Sequence, residues 1–208
     1  MGLFHKATIT PSKPELLAAW VPTQAWCPSS DASVEVVGAF RFDDPEYLVG
    51  METMLVSADG VLLHVPLTYR NEPLPGAEAA LIGEIHHSAL GTRVVYDGLG
   101  DHRYLTMLAA VTMTGQGEAL GMVEVDGRWV VAPTNVRIQG GGWGLDRVAV
   151  DGFQIVGDAS GTTVTAANDG FELRFHRRPT PGPRPPIALT ATWADQPDGV
   201  VLADVASR

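Results

Sequence analysis

An α+β, strand-rich fold is predicted by three features of this 208-residue chain. Runs alternating apolar and polar residues recur along it, Asp-Gly and related turn pairs separate them, and glycine (23) and proline (15) are abundant. Helical periodicity is confined to two short stretches. The expected architecture is an antiparallel sheet with two helices, followed by a second antiparallel β unit packed on it. The second helix ends at Gly115, which divides the chain into 1–115 and 116–208. Apolar residues make up 45%, enough to fill a core.

The first helix is announced by Ser12 and Glu15, spaced as a capping box, with Pro14 in its first turn. Pro22 disfavours helical backbone at Val21 and keeps that helix short. In 33–42, Val34, Val36, Phe40 and Phe42 alternate with polar positions, the pattern of a half-buried strand. Residues 49–57 and 61–70 flank Asp59-Gly60, a hairpin turn in which glycine supplies positive φ. Pro66 has no N–H to give a ladder, so its strand should be an edge there or carry a bulge. Residues 76–85 read as a short helix and a turn, and 93–97 as a short strand. Asp101 suits the N-cap of the second helix, where Tyr104, Leu108 and Val111 share one face.

Beyond Gly115, residues 122–131 form a hairpin about Asp126-Gly127, and strands are expected at 148–156, 162–166 and 171–176. Prolines 179, 181, 183, 185 and 186 mark a long rigid loop within the second unit, since the residues after it are too few to fold alone. Segments 187–193 and 200–205, joined through Pro197-Asp198-Gly199, must therefore pair with the strands before the loop.

Charge excludes several partners. The formal charge is −10, and Lys6 and Lys13 are the chain's two lysines. A phosphate backbone or an anionic membrane needs a basic stripe, and Arg177-Arg178 is the longest run present, so neither nucleic acid nor membrane is an expected partner. Cys27 stands alone, which excludes an intrachain disulfide and a cysteine zinc site. The opening MGLFHKATIT has neither a signal-peptide core nor a myristoylation pattern, and no apolar run is long enough to span a bilayer. The expected location is the cytoplasm.

Residues 63–115 carry a set of motifs in fixed order. Pro66, Leu67, Tyr69 and Arg70 are followed by Ile82, Gly83, His87, Ser88, Leu90 and Gly91, then by Val95, Tyr96, Asp97 and Asp101. This resembles the N-terminal cap region of bacterial maltokinases. An opening pattern of His5, Lys6, Thr10, Pro11, Lys13 and 15–20 is similar to stand-alone cap-like proteins of actinobacteria, often given names that refer to α-glucan branching. The resemblance implies a place in α-glucan or trehalose metabolism. It does not imply the kinase activity, because the half after Gly115 is β-rich and carries no kinase body.

Reactive constellations are sparse. Phosphoryl transfer calls for a phosphate-cradling loop, a lysine, a catalytic Asp and a metal-binding pair, and none of the corresponding motifs occurs. The glycine run 140–144 lacks a strand–loop–helix frame with a nearby cation and reads as a β-connection. Gly157-Asp158-Ala159-Ser160-Gly161 has the wrong spacing for a nucleophile elbow. His86, His87, Asp97, Asp101 and His102 form the densest polar cluster, but without metal-ligand spacing; Asp97 is expected in a turn and Asp101 at a helix cap, and no metal or cofactor is expected. Trp26 and Trp143, in loops, are the candidate platforms for stacking a sugar ring, while Trp20, Trp129 and Trp193 suit the core or a sheet surface. The expected function is a non-catalytic binding or accessory module of α-glucan or trehalose metabolism, touching a pathway protein or an α-glucan. The competing expectation is an enzyme acting on an α-glucan or sugar phosphate through a cleft with no recognisable motif.

Overall fold

The computed structural model describes residues 2–4, 7–132, 134–142, 149–158 and 160–207. Its elements in chain order are β1 (Gly2–Phe4), β2 (Ile9–Thr10), α1 (Lys13–Trp20), β3 (Val34–Asp43), β4 (Gly50–Ala58), β5 (Val61–Arg70), β6 (Leu81–His87), β7 (Gly91–Asp97) and α2 (His102–Thr114). After α2 come β8 (Gly121–Val125), β9 (Arg128–Ala132), β10 (Val136–Gly140), β11 (Gln154–Gly157), β12 (Thr163–Ala167), β13 (Phe171–His176), β14 (Ala188–Trp193) and β15 (Gln196–Ser207). The fold is β-rich α+β with antiparallel sheets and two α-helices, as the alternating runs and turn pairs predict.

Two six-stranded sheets dominate. The first runs β2-β6-β7-β5-β4-β3 and the second β10-β14-β15-β13-β12-β11. A third sheet of three strands, β1-β8-β9, has β1 parallel to β8. Side chains alternate across a strand, so β4 and β5 can feed two cores at once. Met51 and Leu55 face α2 and the second sheet, joining Tyr104, Leu108, Leu173 and Leu202. Met54, Val56, Leu63, Val65 and Leu67 face the other way, against Leu16 and Leu17 of α1. The large central core therefore draws on residues from both sides of Gly115.

Local signals hold where the chemistry is local. Ser12 and Glu15 form the reciprocal capping box of α1, with Pro14 in the first turn. Asp101 caps α2 through the Arg103 N–H at 3.1 Å, and Gly115 closes it in left-handed geometry. Asp59-Gly60 and Asp126-Gly127 both take positive φ at each residue (49° and 82°, 50° and 74°), the turn that matches strand twist. Pro66 lies just beyond the β5–β7 pairing, which starts at Leu67. Two residues earlier the His64 N–H points away from β4 and donates to the Arg177 carbonyl at 2.9 Å, so position 66 faces the same open edge.

Tertiary context moved other boundaries. Residues 81–85 belong to strand β6 rather than to a turn, because β7 offers them a ladder that the sequence window does not contain. The turn between β14 and β15 falls at Ala194-Asp195, and Pro197-Asp198-Gly199 is absorbed into an irregularity of β15 where the register slips. In 148–156 the strand begins at Gln154, with 148 outside the described residues. Strand β10, flanked by the proline and glycine signals of its loops, was not anticipated at all. The glycine run also has a packing reason. A Cβ at Gly140 would sit 1.9 Å from the Val111 carbonyl oxygen, and one at Gly142 2.4 Å from that of Met113, so only glycine lets the chain graze the end of α2. Among the described residues, no helix is long and apolar enough to cross a membrane.

Candidate functional site

Two surfaces of the molecule carry features that packing alone does not explain. The first is a groove of about 460 Å³ over the first sheet, bounded by α1, the end of β3, the 44–49 loop and the β6–β7 turn. Its floor is a braced polar triad. The nearly buried Glu52 carboxylate accepts from the Tyr69 hydroxyl at 2.8 Å and pairs with Lys13 Nζ at 2.6 Å, and that ammonium also lies 5.6 Å from the Tyr69 ring centre. Burial and the adjacent Glu52 carboxylate raise the Tyr69 pKa well above its usual value, so this hydroxyl remains a donor.

The groove's rim is built with equal care. Asp44, 3% exposed, accepts N–H groups from Glu46, Leu48 and Val49, and Arg103 of α2 clamps both Asp44 (3.0 Å) and Glu46 (2.6 Å). Held this way, Tyr47 takes φ +57 and stands 78% exposed at the groove's edge, with Leu48 exposed beside it. A non-glycine residue kept in that backbone region by several bonds points to a use for its side chain.

The second surface is the ribbon β1-β8-β9. β9 pairs with β8 on one side, and among the described residues no strand covers its other edge. Trp129 (56% exposed) and Val131 (55%) share one face, while Val130 is exposed on the opposite one. By contrast, the outer edges of β3 and β10 are covered: the Arg41 carbonyl accepts from the Ala119 N–H at 2.8 Å, and the Glu118 carboxylate from the Ile138 N–H at 3.0 Å.

The residues singled out from sequence are dispersed among structural tasks. Asp101 receives a bidentate Arg70 (2.7 and 2.8 Å) besides capping α2. Asp97 caps a short 3-10 turn through the Leu99 N–H and pairs with the buried guanidinium of Arg177. His87 Nδ1 accepts from the Ala89 and Leu90 N–H groups at 3.2 Å each, which shapes the β6–β7 turn and leaves the ring hydrogen on Nε2. His86 and His102 are exposed and separate from it. Among the described residues no three His, Cys, Asp or Glu side chains converge to hold a metal. Trp26, expected as a platform, is 6% exposed; Trp20 meets it edge-on at 5.6 Å and the Arg177 guanidinium lies 4.7 Å from its ring centre, so no open face is left for a sugar. Trp143 lies outside the described residues.

The motif residues of 66–101 thus tie β4, β5, β7 and the start of α2 into one frame: Tyr69 to Glu52, Arg70 to Asp101, and Tyr96 to the Leu74 N–H at 2.9 Å. Residues 20–101 match the maltokinase N-terminal cap domain. The match begins at the last residue of α1, spans β3 to β7, and ends at the α2 cap. The matched segment therefore supplies most of the groove, whereas the ribbon lies wholly outside it. No curated protein matches the chain.

Sequence reasoning passed over Tyr47 and Glu52. A signal existed for both: Asp44-Pro45 is a turn former two residues before Tyr47, and Glu52 is the charge inside a largely apolar strand run. His64 and Arg177 had no such signal. His64 stacks on Phe175 at 4.0 Å, a partnership across more than a hundred residues. Of the groove's charged groups, Lys13 and Glu52 pair with each other, Asp44 pairs with Arg103 of α2, and Arg93 donates to the Thr92 carbonyl at 2.9 Å.

Proposed function

We propose that this chain is a non-catalytic binding module of α-glucan or trehalose metabolism, a cap domain carried on its own second sheet, and that it works by contact with an enzyme of that metabolism. The supporting observation is the ribbon: a free strand edge with Trp129 and Val131 exposed on one face and Val130 on the other, whereas the outer edges of β3 and β10 each receive a bond from the 118–119 segment. Contiguous exposed apolar surface on a sheet edge is the usual mark of a protein-docking site, where a partner strand or apolar face completes the ladder. The cap-domain match supports the metabolic setting, and the actinobacterial, glucan-branching resemblance of the opening segment points the same way.

The test is affinity capture from a native extract with the tagged wild-type chain and with Trp129→Ser/Val131→Thr, followed by mass spectrometry. The expected result is a glucan- or trehalose-pathway enzyme held by the wild type and lost by the variant. Equal recovery by both, or turnover of a sugar substrate by the purified chain, would overturn the reading. Mg-ATP should give no saturable heat in calorimetry, in keeping with the lack of phosphate-handling motifs.

A further inference from the structure

We propose that the groove framed by the 44–49 loop and the β6–β7 turn is a binding site for a neutral, polyhydroxylated ligand, a short oligosaccharide segment seated against the Tyr47 ring. This site is separate from the ribbon and stands on separate observations.

The size is right for a small ligand, since about 460 Å³ falls within the range of small-molecule clefts. The charge decides the class. Among the described residues, three cations (Lys13, Arg41, Arg93) and three carboxylates (Asp43, Asp44, Glu52) line the groove, a balance of zero. An anionic ligand such as a sugar phosphate needs an excess of donors and positive charge, and here Lys13 is already neutralised by Glu52 at 2.6 Å. A sugar hydroxyl both donates and accepts, and the groove's lining offers both roles in carboxylates, guanidinium groups and the Asn71 amide.

Stacking supplies the remaining contact. The apolar face of a pyranose ring needs a flat, exposed partner, and Tyr47 is the exposed aromatic of the rim, its loop backbone fixed by the Asp44 and Arg103 bonds. A peptide is a poorer fit. Strand addition needs a free edge of several residues; of the two edge strands at the groove, β2 has only Ile9 and Thr10, and in β3 the Arg41 carbonyl already accepts from the Ala119 N–H at 2.8 Å.

The experiment is an NMR titration of the full 15N-labelled chain with maltotetraose, cellotetraose and mannotetraose in parallel, with glucose 6-phosphate as the anionic probe. At least one neutral tetrasaccharide is expected to give saturable shifts centred on 43–50, 69–71 and 87–93. Tyr47→Ala should weaken that binding by about tenfold or more, Tyr47→Trp should retain it, and Asn71→Ala should weaken it independently. Tyr47 and Asn71 are both exposed, so an unchanged thermal midpoint separates loss of binding from loss of fold. The proposal is overturned if no neutral tetrasaccharide saturates, if Tyr47→Ala binds as the wild type does, or if glucose 6-phosphate binds more tightly. Shifts of the groove produced only by the captured pathway enzyme, with no sugar, would make it a protein face and overturn the proposal too.

Discussion

The β4–β5 and β8–β9 hairpins share one turn and have opposite fates. Each is closed by Asp-Gly with both residues at positive φ. Around the first, six consecutive residues of each strand are buried, because both faces of β4 and β5 meet a core. Around the second, nearly every residue of β9 is exposed, apolar or not. Turn chemistry sets the register of a hairpin; what it packs against sets its stability. The apolar side chains of β9 gain little from burial within the fold, which is why the proposed docking surface is placed there.

That contrast can be broken by matched substitutions. Leu63→Ala, at a fully buried position of β5, should cost about 2–5 kcal/mol in denaturant unfolding, whereas Val130→Ala in β9 should stay within about 0.5 kcal/mol. Similar losses at the two sites would mean the ribbon is part of the cooperative core. Next in size, Gly60→Val should cost about 1–2 kcal/mol. A Cβ at Gly60 meets nothing within 4 Å, so the whole penalty comes from φ +82 and not from a clash. An unchanged denaturation midpoint would show that the backbone there relaxes freely.

The buried side of the comparison also contains a titratable group, His64. His64 is held well below its usual pKa, first by burial and then by the Arg177 guanidinium. A depressed histidine pKa means the unfolded chain binds the proton first. Its contribution to stability is therefore complete above the unfolded value of about 6.5 and is lost as pH falls below it toward the folded pKa. The midpoint of the wild type should fall between about pH 7 and pH 5 more steeply than that of His64→Leu. Parallel profiles would assign the acid sensitivity to other groups. The smallest effect is expected at Trp129→Ser, within about 0.5 kcal/mol by thermal unfolding, although the same change should abolish partner capture.

How much of this was legible depended on the range of the interactions. Ser12 with Glu15, Asp101 with Arg103, and the two Asp-Gly turns are read from neighbours within a few residues, and they were read correctly. Strand β6 was not, because the reason 81–87 is extended is its ladder with β7 and β2. Trp26 looks like a loop tryptophan until Arg177, far along the chain, covers its ring. The groove follows the same rule: Lys13, Glu52 and Tyr69 are unremarkable apart, and a site only when three elements bring them together.

The parallel pairing of β1 with β8 has a consequence in time. Gly2, Leu3 and Phe4 lie beside Gly121, Met122 and Val123. At a synthesis rate of roughly 5–20 residues per second, the first strand leaves the ribosome on the order of ten seconds before its partner exists. It cannot wait in the ladder it will finally occupy. The capping box of α1 and the β4–β5 hairpin, built from near neighbours, can form meanwhile, but closing a loop of that length makes the ribbon a late arrival. The ribbon would then be completed only after strands β3 to β7 have been made, so the proposed contact would be open only to a chain whose 20–101 segment is already synthesised.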